Sequence, residues 1–134
     1  MHLSRSKRAL VLATTAVALL GAGVSGGIAL AAADNVRAPY ARAAVTVNDD
    51  GSIVRSKGID TVTRLSDGRY CVKLNPGVDP NNAVFTTASH RYRLFVVTEL
   101  GNNPDCGDDP QSIRVTTTDH EGTFADGSFS LVVH

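Results

Sequence analysis

From Ala44 to the C-terminus, short runs rich in Val, Ile, Thr and aromatic residues recur about every ten residues, divided by clusters of Gly, Asn, Asp and Pro. No window of about 11 residues in this stretch carries apolar side chains at helical spacing, which leaves a β-sheet as the way to bury them. The rhythm predicts an all-β domain over residues 44–134, a small antiparallel β-sandwich, jelly-roll-like, of about 7–8 strands. The strands read as Ala44–Asn48, Ser52–Arg55, Ile59–Leu65, Arg69–Leu74, Ala83–Thr87, Arg91–Leu100, Ser112–Thr118 and Ser128–Val133. Asp50-Gly51, Asp67-Gly68 and Asp126-Gly127 supply residues that accept positive φ, as tight hairpins require.

Side chains alternate between the two faces of a strand. Tyr70, Val72 and Leu74 therefore share a face, as do Tyr92, Leu94 and Val96, then Ile113, Val115 and Thr117, then Phe129, Leu131 and Val133, and these form the predicted core. The opposite faces carry Arg69, Cys71 and Lys73, then Arg91 and Arg93, then Arg114. Phe95 and Val97 follow Arg91 and Arg93 on one side, so that half of the strand is apolar on both faces. Such a strand is either covered by a loop or part of a subunit interface. Gly101 to Gln111 offers no apolar residue for covering, whereas symmetric packing of two copies would bury Phe95 and Val97 in a homo-oligomer.

Ahead of the domain, Arg5, Lys7 and Arg8 precede a run from Ala9 to Ala33 that holds no ionisable side chain and ends in Ala31-Ala32-Ala33. A basic start, an apolar stretch and small residues at the end are the parts of a secretory signal peptide. This predicts a signal peptide over residues 1–33, cleaved after Ala33, and a secreted, extracellular protein that meets the membrane only during export. Ala38 is the poorer cleavage site because Pro39 follows it. The competing reading is a retained anchor, since the run exceeds the roughly 20 residues that span a bilayer. Its second half is only weakly apolar, with Gly21, Gly23, Gly26 and Gly27 among alanines, and no basic cluster follows. Residues 34–43 have no periodicity and contain Pro39, and read as a flexible lead-in.

The full chain has 13 cationic and 13 anionic side chains, three of the cations lying in the leader. The remainder, ten cations against 13 anions, carries −3, and with no run of Lys and Arg it predicts no nucleic-acid partner. Cys71 and Cys106 are the only cysteines, which in an oxidising compartment means one disulfide. Closing a loop of about 36 residues is worth roughly 3.8 kcal/mol on the chain-entropy account. A redox or metal-binding thiol pair lacks both a CxxC spacing and a histidine at ligand distance in sequence.

Two segments offer chemistry. Gly101 to Gln111 concentrates Asp105, Asp108 and Asp109 with Asn102 and Asn103, oxygen ligands of the type calcium takes, though not at EF-hand spacing. The same loop, 101–111, braced by a disulfide, would also suit a small inhibitor of extracellular proteases. His90, His120 and His134 raise the question of catalysis, and Asp119-His120-Glu121 sets a base between carboxylates. No nucleophile motif, HExxH or reactive cysteine accompanies them, so the sequence predicts neither an enzyme nor a cofactor. Arg69, Lys73, Arg91, Arg93 and Arg114 fall on strands while most acids fall in loops. That polarity suits an anionic cell-wall polymer or an acidic partner patch, and equally serves solubility.

Gly51-x-Ile53-x-Arg55-x-x-Gly58-Ile59-x-x-Val62-x-Arg64, then Gly68-x-Tyr70-x-Val72, Thr118-Asp119-x-x-Gly122 and Asp126-x-x-Phe129-x-Leu131-x-Val133, resemble a set of short secreted proteins of actinobacteria. The resemblance rests on turn glycines and core positions, implies a shared β-fold, and transfers no catalytic or ligand residue. Few lysines among abundant Ala, Val, Arg, Thr and Asp agree with such a source. The same pattern is similar to the carboxyl-terminal heads of extracellular fibre-like proteins, some trimeric, which implies binding or assembly. The reading that results is a secreted, non-enzymatic β-domain with a binding or assembly role at or outside the cell surface, facing an extracellular or cell-wall partner. The protease inhibitor and the calcium-dependent binding module are its alternatives.

Overall fold

The computed structural model of the 134-residue chain describes residues 27–30, 35–100 and 103–134. Among these, nine strands form: β1 (Ile28–Leu30), β2 (Ala43–Val47), β3 (Ile53–Lys57), β4 (Ile59–Ser66), β5 (Arg69–Leu74), β6 (Phe85–Ser89), β7 (Phe95–Glu99), β8 (Ser112–Thr118) and β9 (Phe129–Val133). Every pairing is antiparallel. One sheet has the order β1-β4-β5-β8-β7 and the other β3-β2-β9-β6, so the domain is an all-β sandwich.

The inner faces are built as alternation requires. Tyr70, Val72, Leu74, Ile113 and Val115 from the five-stranded sheet meet Val45, Val47, Phe129, Leu131 and Val133 from the four-stranded one, and all are buried. The rings of Tyr70 and Phe129 join the two sheets edge to face, with centroids 5.2 Å apart. One strand crosses between sheets through Gly58, where φ is +66° and a Cβ would lie 2.6 Å from the carbonyl oxygen of Arg42. Only glycine fits that corner.

The strand read over Ala83–Thr87 is found at Phe85–Ser89, and the structure departs from the sequence reading further around β7 and the last turn. The strand read over Arg91–Leu100 shrinks to β7, because Arg93 adopts φ of 60° and breaks the alternation. Tyr92, assigned to the core, is 88% exposed, while Leu94 is buried and Val96 packs against the core. Arg91 and Arg93 precede β7 and hold no place in the sheet rows that carry Phe95 and Val97. Asp126-Gly127 is not a positive-φ turn: Gly127 is absent from the residues with positive φ, and its hydrogen leaves room for the Leu94 side chain.

The lead-in over residues 34–43 is fastened along its described part. Asn35 donates its backbone N–H to Ser56 O at 3.0 Å and accepts the Ser56 N–H on its side chain at 2.9 Å. Lys57 Nζ donates to the carbonyls of Ala38 and Ala41, each at 2.8 Å, and Ala41 is buried. A segment without periodicity is held here by polar contacts, which periodicity does not register. The predicted signal peptide lies outside the described residues except for Gly27 and β1. β1 pairs with β4 at one end of the five-stranded sheet, with Ala29 opposite Val62. Its Ile28 and Leu30 are largely exposed.

Candidate functional site: the outer face of the five-stranded sheet

Partners directly opposite in an antiparallel sheet share a face, so the register sets out the outer surface row by row. Thr61, Lys73 and Ser112 form one row, and Thr63, Cys71, Arg114 and Glu99 the next. Arg69, Thr116 and Val97 follow. Phe95 and Thr118 come last, extended by Phe124, which bridges to Thr118. The first two rows lie under a loop, and the last two are bare.

The loop is fixed covalently and electrostatically. Cys71 and Cys106 are bridged, with Cα atoms 5.7 Å apart, so the outward Cys71 meets the loop as its position on β5 requires. Pro104–Cys106 make a 3-10 turn, capped by the Asn103 side chain accepting the Asp105 N–H at 2.9 Å. Asp105 pairs with Arg114 at 2.8 Å, which also holds Glu99 at 2.6 Å, and Asp109 pairs with Lys73 at 2.9 Å. The Gln111 N–H and then the Lys73 ammonium hold the Asp109 carboxyl below its ordinary value, and Asp109 in turn raises Lys73. A groove of roughly 280 Å³ remains between this loop and β4, lined by Thr61, Thr63, Leu65, Lys73, Cys106 and Asp109 among others.

Of the suggested calcium ligands Asn102 lies outside the described residues, and this arrangement disperses the three acids. Asp105 and Asp109 are turned onto separate cations, and Asp108 is exposed with φ of 53°. Among the described residues no three His, Cys, Asp or Glu side chains converge as a metal site. The charge polarity read from the sequence is likewise offset, since Lys73 and Arg114 are neutralised by the loop lying over them. The described part of 101–111 is pinned against the sheet, with Asp105 and Asp109 turned onto its cations and Asp108 left to solvent.

The bare half carries the apolar residues. Phe95 is 58% exposed, Val97 52% and Phe124 46%. The Arg69 guanidinium lies over the Phe124 ring, 4.4 Å from its centroid. Thr116 and Thr118 fill the middle, giving a patch of two aromatics, one valine, two threonines and a stacked arginine. The loop-cover reading is therefore corrected: the loop covers the opposite half, and Phe95 and Val97 face solvent.

A second cluster was not anticipated. Arg64 donates Nε and Nη2 to the Asp126 carboxylate, the shortest contact being 2.6 Å, and Nη2 also reaches Asp67 at 2.7 Å. Asp126 further accepts the Gly68 N–H at 2.8 Å, and the buried Tyr70 hydroxyl lies 3.1 Å from it and 2.8 Å from the Asp49 carbonyl. Burial raises the Asp126 carboxyl, but Arg64, Gly68 and Tyr70 outweigh it and hold the group below its ordinary value. Burial, then the Asp126 charge, pushes Tyr70 up to about 12. The bonds that Arg64, Gly68 and Tyr70 make to Asp126 tie β4, β5 and the segment before β9 together at this end of the sandwich.

The histidines stand apart. His120 lies 3.7 Å from Glu121 on an exposed turn, and His134 Nε2 lies 3.3 Å from the Thr86 hydroxyl. His90 Nε2 is 2.8 Å from Ser130 Oγ, yet that hydroxyl also meets Thr46 at 3.0 Å, and no carboxylate is hydrogen-bonded to His90 among the described residues. A serine-histidine pair without an orienting acid or converging donors lacks the parts that activate a nucleophile. Comparison with family models, curated proteins and solved structures returns no match.

Proposed function

We propose that this chain is an exported, disulfide-braced β-sandwich that acts outside the cell by binding and assembly, without catalysis, through the bare half of its outer sheet face. The observation that carries this reading is the Phe95, Val97, Phe124 and Arg69 patch, which stays exposed while the adjoining half of the same face is covered by a bridged and ion-paired loop. Contiguous exposed apolar surface of this kind marks an interaction site. Aromatic residues and arginine are the types that dominate such contacts. Side chains set out in strand rows over a threonine floor suit a second sheet face, so the occupant we assign is another copy of the domain. The N-terminal export signal and the disulfide support the extracellular setting.

Light scattering on the chain beginning at Asp34, from low to high micromolar concentration, tests the reading. Mass should grow with concentration, and Phe95→Asp should weaken that growth at least tenfold, since it places a charge in an apolar contact. Because Phe95 lies outside the core, the variant should melt within a few degrees of the parent. A mass that Phe95→Asp leaves unchanged would overturn the assignment of the face.

A further inference from the structure

β1 is held to the molecule almost entirely by its backbone. It is three residues long, its Ile28 and Leu30 are 68% and 76% exposed, and among the described residues the buried core begins at Ala41. It nevertheless occupies the one place in the five-stranded sheet where β4 would otherwise be the edge. It also lies on the N-terminal side of Ala33, within the segment that export removes. Cleavage there takes away the strand and leaves β4 at the border of the sheet. The three residues paired with β1, Thr61-Val62-Thr63, carry no proline and no charge, and the charges of this edge, Asp60 and Arg64, flank them symmetrically about Val62.

We propose that removal of β1 exposes β4 as a strand-accepting edge, and that the occupant is β4 of a second copy, paired antiparallel about a two-fold axis at Val62. Thr61-Val62-Thr63 reads the same in both directions, so a two-fold pairing sets Val62 against Val62 and each Thr61 against Thr63 of the other copy. Threonine pairs across strands are favourable, and a self-complementary edge is what an isologous contact requires. β1 demonstrates that the edge takes an antiparallel strand with Val62 at its centre. Its exposed side chains show that the edge asks for backbone pairing and no particular side chain. The axis stands perpendicular to the sheet, so the joined sheet presents two bare patches on one surface. The proposal rests on the processing assigned above, and it makes export the step that permits pairing.

The test uses the Phe95→Asp background, so that the face contact does not enter. There, the chain beginning at Asp34 should have twice the mass of one copy, and the chain beginning at Gly27, which keeps β1, the mass of one. Thr61→Lys with Thr63→Lys puts like charges opposite each other in both pairs and should abolish the doubling. Thr61→Lys with Thr63→Glu sets each lysine against a glutamate and should restore it. Amide exchange at Thr61–Thr63 in the unsubstituted chain should slow as concentration rises, which decides the matter if a lysine variant fails to fold. A single-copy mass for the chain beginning at Asp34, doubling that survives the two lysines, or exchange independent of concentration would each overturn the proposal.

Discussion

Asp126 gathers hydrogen bonds from Arg64, Gly68 and Tyr70, residues from two strands and the turn between them. Replacing it with Asn removes the charged partner of a largely buried guanidinium and weakens the acceptor of the Gly68 N–H, a loss of about 1–3 kcal/mol. A fall of that size should lower the melting temperature by about 5–15 °C in a domain this small. The side chain is 30% exposed, so solvent screening places the effect at the lower end. The pH dependence follows from the sign of the shift. The folded carboxyl titrates below its unfolded value, so its contribution is complete above about pH 4 and fades as the pH drops through the lower, folded value. Urea midpoints measured from pH 7 down to pH 2.5 should fall in that window, and fall less steeply in Asp126→Asn. Asp50, Asp79, Asp109 and Asp119 are lowered as well and keep part of the slope. Alternation in the sequence identifies Tyr70 as a core ring. It carries no sign of where the hydroxyl goes, because the partners lie 21 and 56 residues away.

At the scale of elements, β5 and β8 match the sequence reading residue for residue, because each sets its core side chains at a period of two and ends at turn residues. β7 does not, and the cause is local: Arg93 in a left-handed conformation cuts the strand short and leaves Tyr92 outside the core, while Leu94 and Val96 keep the inward side that alternation gives them, and no residue type announces that break. The bridge was legible for the opposite reason, since two cysteines admit one pairing and Cys71 falls on the outer side of β5. Cys106→Ser removes a constraint on the unfolded chain worth roughly 3.8 kcal/mol at most. The ion pairs of Asp105 and Asp109 persist without it, and the hydrophobic core does not pass through the bridge. The variant should therefore lose about 2–4 kcal/mol, read as a melting temperature lower by about 10–20 °C, while its far-ultraviolet dichroism keeps the sheet signature. A collapse of that signature at 25 °C would mean that the loop organises β5 and β8, contrary to the packing described.

For the whole molecule, the sandwich was legible because its inner faces obey a period of two over most strands, whereas its borders were not. Both surprises at the borders, β1 and the fastened lead-in, are held by backbone and side-chain polar contacts that leave no periodic trace. They differ in weight, and truncation separates them. A chain beginning at Asp34 loses β1 only, whose side chains are exposed, and should melt within about 3 °C of one beginning at Gly27. A chain beginning at Ala43 also loses the Asn35 contacts to Ser56, the carbonyls that Lys57 holds, the buried Ala41 and the Arg42 N–H to Val133 O bond of 2.8 Å. At about 1 kcal/mol for each of some five net hydrogen bonds, that shorter chain should be less stable by about 3–5 kcal/mol. Guanidinium denaturation of the three chains measures the difference directly. Equal midpoints for the chains beginning at Asp34 and Ala43 would show that residues 35–42 contribute nothing, and that the domain starts where its periodicity does.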